Sequence, residues 1–313
     1  MIVQTDPRQA TKTEPPMSVG WHIFKWMLST TLMVCIIMIT PVSALAGVAG
    51  NIAMGDKAWS SRAEGHQESL AELEPIQKAI DAYTAALDEE PDSLEARWKL
   101  LRALHFKGEF VLENTDDRQL LFEQGREIAE AGTLLVERQY GLKKGMFKMK
   151  PADVAKAIGS NTPIAELCFW SAASWGLWGQ YSGNMAAARK GVVKKLRSFA
   201  EIMILLDDQV EKGGGHRLLG RLHSRVPKIP LVTGWVNRDR SISELRLSLE
   251  IAPDNLLSRY FLADALLKYR SSEKQEAMGI LQDIVTSQPD TDRLVEDIKT
   301  IEDARALLAN TDD

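Results

Sequence analysis

Three prolines in this chain follow small and apolar residues at fixed offsets. Ala79, Tyr83 and Ala86 stand 12, 8 and 5 residues before Pro91. Ser241, Leu245 and Ser248 stand at the same distances before Pro253, and Ala277, Leu281 and Ile284 before Pro289. A small side chain lets two helices approach closely, a large one fills the space beside it, and a proline ends the helix so that the chain turns back. One such pair cannot bury its own apolar faces, so several must stack. No stretch alternates apolar and polar residues between turn signals, which leaves no strand to predict. The expected fold class is all-α, with antiparallel helix pairs stacked as an array.

The offsets are similar to those of the tetratricopeptide repeat, and Pro253 and Pro289 lie 36 residues apart, near that repeat's period of about 34. Periodicity and punctuation predict helices over 58–89, 92–108, 116–138, 151–158, 163–182, 185–208, 214–225, 239–251, 255–270, 273–287 and 291–309. Asp92, with Glu95 three residues on, reads as a capping box, and Thr162 before Pro163 as an N-cap. Gly183 and Asn184 read as one helix's end and the next one's cap, and Asp254 as a further start. Two connections are long. The one from Val226 to Arg238, with Pro227, Ile229, Pro230 and Trp235, is apolar and proline-fixed and is expected to be packed.

Residues 26–54 carry no charge, and Met27 to Ile39 is the most apolar part. Lys25 before this run and Ala44-Leu45-Ala46 after it read as a secretory signal peptide cleaved before Gly47, with Met17 as the true start. The expected organisation is a leader over 1–46 and one helical domain over 47–313, exported to the periplasm. An uncleaved inner-membrane anchor is the first alternative, because the run is long enough to span a bilayer. Lipidation at Cys35 is the second, with the bulky Val34 standing against it. Cys168 is then the one remaining cysteine, so no intramolecular disulfide is expected. A net charge of -5 offers no electrostatic footprint for nucleic acid.

Three blocks carry a family resemblance. They are Leu167 to Trp178 (LCFWSAASWGLW), Gly214 to His223 (GGHRLLGRLH) continuing to Pro227 and Pro230, and Leu249 to Leu267 with its APDNL and FLAD segments. In order and spacing they resemble the T-component of TRAP-type transporters, the TatT-like family, over roughly Ala79 to Pro289. The resemblance implies a periplasmic, non-enzymatic helical protein with cryptic tetratricopeptide-like repeats. It also implies a cavity for a small apolar or amphipathic ligand, a TRAP-type solute-binding protein as partner, and a trimer. The chain departs from lipoprotein members in its poor lipobox.

The candidate cavity residues are Trp170, Trp175, Trp178, Tyr181, His216, Arg217, Arg221 and Trp235. The three tryptophans sit among Ser171, Ala172, Ala173, Ser174, Gly176 and Gly179, so they suit either a pocket wall or a close-packed core. Arg217, Arg221 and Arg225 form a stripe at i, i+4 and i+8, read as salt bridges to an acidic neighbour helix or as a carboxylate clamp. His216 and His223 are two turns apart, about 10 Å along a helix, too far to share one zinc. Gly213-Gly214-Gly215 reads as a flexible helix start. No nucleophile elbow, zincin signature or Cys–His pairing is present, so no catalytic residue, metal or cofactor is assigned. The alternative function is a scaffold that binds a protein in its concave face, with no ligand cavity.

Overall fold

A computed structural model describes residues 47–230 and 233–311. The leader, its two alternatives and Cys35 lie outside the described residues. Within them the chain forms α-helices and short 3-10 turns, with no strand beyond an isolated Gln67–Leu70 bridge. The helices are α1 (Gly47–Ser60), α2 (Leu73–Glu89), α3 (Leu94–Phe110), α4 (Thr115–Gln139), α5 (Pro151–Ile158), α6 (Thr162–Ser182), α7 (Asn184–Arg189), α8 (Val192–Leu206), α9 (Gly214–Arg225), α10 (Arg238–Ile251), α11 (Leu256–Tyr269), α12 (Lys274–Thr286) and α13 (Leu294–Ala309). The all-α array expected from the sequence is present.

Two predicted helices are broken. The span 58–89 is really α1 and α2, separated by a turn over residues 61–72. The span 185–208 is α7 and α8, because Gly191 takes a left-handed φ of 64° that a helix interior cannot hold. The caps also move by a residue. Ser93, not Asp92, accepts from the Ala96 amide, and Asn161, not Thr162, accepts from Ile164. Asn255, not Asp254, accepts from Ser258. Asp92 is instead free to bind Arg138 at 2.8 Å. In each case the true cap is the side chain placed to reach the N2 or N3 amide, a geometric condition that residue type alone does not decide.

The repeat offsets are packing positions. Ala79, Tyr83 and Ala86 are fully buried, as are Ala277, Leu281 and Ile284. A Cβ on Gly55 of α1 would fall 2.3 Å from the Tyr83 ring, so this glycine is what lets α2 close on α1. Gly220 of α9 meets Leu245 in the same way, at 2.6 Å. In that pair the two serines donate to the facing backbone: Ser241 Oγ to the Gly220 carbonyl at 2.8 Å and Ser248 Oγ to the Gly213 carbonyl at 3.0 Å. The triple glycine opens α9, and it packs closely: a Cβ at Gly214 would stand 2.7 Å from Phe169 and one at Gly215 2.6 Å from Ile204.

The first helices of successive pairs form one row: α3 packs on α6, Phe169 of α6 meets Gly214 of α9, and α9 packs on α11 and α11 on α13. The last helix also returns to the beginning. Val295 of α13 is buried in the same core as Ile76, Tyr83, Leu100 and Phe106. Arg62, in the turn 61–72, pairs with Glu296 at 3.0 Å and donates to the Asp292 carbonyl, and Ser69 donates to Glu302 at 2.6 Å. The array therefore closes on itself.

Candidate functional site

The eight residues singled out in the sequence do not share one wall. Trp175 and Trp178 pack edge to face, 5.6 Å between centroids, in the main core. Arg126 of α4 lies over both rings, Lys195 lies 3.6 Å over Trp175, and the Trp178 indole N–H donates to Glu123. Tyr181 stacks on Phe122 and its hydroxyl accepts from Arg118. His216 is tied to Glu244 at 2.7 Å. Arg221 and Arg225 both bind the buried Asp264 of α11, the salt-bridging option of the sequence reading. Trp235 packs on His223, whose Nδ1 accepts from the Asn237 amide. These residues hold helices together.

Trp170, buried in the same core, and Arg217 also meet a polar cluster. Trp170 lies 5.4 Å from the His105 ring of α3 and 4.9 Å from Phe169, and Arg217 of α9 lies 5.8 Å over Phe169. Glu166 sits one turn before Trp170. The Glu211 carboxylate acts on Glu166 and lies 4.0 Å from Arg293, at the entry to α13. Arg102, one turn before His105, is held between the indoles of Trp59 and Trp98, at 4.0 and 4.9 Å. Arg102, His105, Glu166, Arg217 and Arg293 all come from the same row of helices or the turn that enters it.

The electrostatics of this cluster are unusual. Burial, reinforced by Glu211, pushes the Glu166 carboxyl up to about 7, while Arg102 opposes the shift. Burial, then the nearby Arg293 charge, holds His105 down at about 4, so the ring is neutral. Arg217 is only 4% exposed and is pulled down to about 10 by burial and by Arg293. Its guanidinium donates to the carbonyls of Glu211 and Lys212 and to Ser258 Oγ, with no carboxylate at ion-pair distance among the described residues. Arg102 likewise lacks such a partner among them. Among the described residues, Arg102 Nε, His105 Nδ1, Glu166 Oε2, Trp170 Nε1 and Arg293 Nε are covered and without a hydrogen-bond partner at normal geometry. Buried polar atoms nearly always find a partner, and each left bare costs about 1–3 kcal/mol. Trp170 and Glu166 satisfy each other in part, and Arg293 Nε lies 3.7 Å from the Asp297 carboxylate; Arg102 Nε and His105 Nδ1 have no such relief.

His105 and Glu166 are partly buried. A cleft of about 540 Å³ runs past Arg293 and Asp297, with Lys212, Asn255, Arg259 and Asp290 on its walls, and of the cluster it touches Arg293 alone. Arg102, His105, Glu166 and Arg293 were not picked out from the sequence, where each reads as an ordinary helix-surface charge. Cys168 is buried in the apolar core and its thiol is pushed up to about 12, which leaves it inert. No helix among the described residues is long and apolar enough to cross a membrane. No protein-family model matches this chain, and no curated protein matches it.

Proposed function

We propose that the protein is a non-enzymatic, exported binding protein of the TRAP T-component kind, and that the polar cluster inside its closed array holds a small amphipathic ligand. The observation that carries this reading is the pair of covered polar atoms on Arg102 and His105 that have no partner among the described residues, with Glu166 about half protonated at neutral pH beside them. A ligand with a polar end would complete those hydrogen bonds, and Trp170 and Phe169 offer its apolar part a surface. The solute-binding protein of such a transport system is the proposed partner, by resemblance.

The scaffold reading needs an open concave face. The return of α13 to the first helix pair closes the array through Val295 and Glu296, which favours the small-ligand reading. The test is to release bound compounds from the purified protein with organic solvent, identify them, and add the recovered compound back. The expected result is one stoichiometric compound that raises Tm on re-addition. Recovery of no compound, or of one that leaves Tm unchanged, would refute the reading.

A further inference from the structure

We infer that α13 is the door to the inner cluster and that the turn over residues 61–72 is its latch. The inference rests on the binding reading above for its purpose, but its geometry stands apart from it.

The turn is as long as the connection between α9 and α10 and longer than that between α11 and α12, which are separated only by Arg270 and a 3-10 turn over Ser271–Glu273. It places Ala71 in the core of its own helices and also reaches α13. Arg62 is 7% exposed, stacks 4.2 Å over Trp59 and reaches Glu296 and the Asp292 carbonyl. Ser69 meets Glu302 two turns further along. At the entry to α13, Arg293 lies by Glu211 and Asp297, and its charge is felt at both His105 and Arg217.

The two sides of α13 are unlike. Towards α11 and α12 it packs closely, with Ile301 and Ala304 in an apolar core. Towards the first pair it offers one fully buried apolar side chain, Val295, and otherwise ion pairs and hydrogen bonds. Arg62 Nε and Glu296 Oε2 along this seam are covered and without partners among the described residues. A seam with one buried apolar contact and two unsatisfied atoms opens before a packed core does. Opening would swing Arg293 off the cluster and uncover the wall formed by Arg102 and His105.

Carbethoxylation tests this without knowledge of the ligand. His105 is neutral at pH 6.5, as diethyl pyrocarbonate requires, and peptide mapping separates it from His216 of α9, which lies away from the seam and serves as a reagent control. Ser69→Cys and Glu302→Cys, in full-length protein with Cys35 and Cys168 changed to Ala, allow a short bismaleimide to fix the seam. We expect the cross-link to slow His105 labelling at least tenfold, with His216 unchanged. Arg62→Lys and Val295→Ala, each confirmed folded by circular dichroism, should speed it at least threefold. Equal His105 rates with and without the cross-link would overturn the inference. Latch-dependent labelling in a protein that releases no bound compound would uphold the door and sink the binding reading, so the two failures are distinguishable.

Discussion

Replacing Glu166 with Gln should make the protein more stable above neutral pH and leave it unchanged in acid. The carboxyl sits near 7 in the folded chain, against an ordinary 4.5, because burial and Glu211 both disfavour its ionised form. Below 4.5 it is protonated folded and unfolded alike, so it contributes no pH dependence. Between 4.5 and 7 the unfolded chain releases this proton and the folded one keeps it, so stability falls as pH rises. Above 7 the full penalty is present. At about 1.4 kcal/mol per pH unit between the two values, it comes to about 3 kcal/mol. Gln keeps the shape and the hydrogen-bonding reach towards Trp170 while removing the charge. Urea unfolding of both proteins at pH 4 and pH 8 reads the effect as a shift in midpoint at constant slope. The reasoning fails if the variant gains equally at both pH values, or loses stability at pH 8.

Other consequences follow from the same geometry. His105 is held near 4 against an ordinary 6.5, so its unfolded form binds a proton first as pH falls. His105→Gln should therefore remove a loss of stability, about 3 kcal/mol in all, that appears between pH 6.5 and 4, read from melts across that range. Gly55→Ala should destabilise by about 1–3 kcal/mol despite alanine's better helix propensity, because its Cβ would overlap the Tyr83 ring; thermal melts measure it. Ser248→Ala removes the donor to the Gly213 carbonyl inside the α9–α10 contact and should cost about 1 kcal/mol by urea unfolding.

The helices were legible because their cause is local. Periodicity, prolines and caps placed most ends within two residues, and the misses have local reasons too. Gly191 and the turn 61–72 interrupt runs whose apolar pattern continues straight across them. The Pro253 repeat looked the most degenerate, since Ser241 and Ser248 are polar. Yet those serines are small enough to sit at the contact and donate to the opposite backbone, a role visible only once α9 faces α10. The site was half legible. Trp170 and Arg217 stood out by type and setting, but so did Trp175 and Arg221, which are ordinary core and ion-pair residues. What separates them is the closure by α13, a contact between residues more than 200 apart in sequence. Nothing local announces that the Arg293 charge will act on His105, or that Arg102 and Glu166 will lack an ion-pair partner among the described residues.

The central claim is that the bare polar atoms around Arg102 and His105 are there for a ligand. Native mass spectrometry of the protein as purified, beside Arg102→Ala, tests it most directly. The account predicts a bound small molecule at close to one per chain in the first and a clear loss of occupancy in the second. A bare protein mass at every concentration, or the same adduct at the same occupancy in Arg102→Ala, would contradict it.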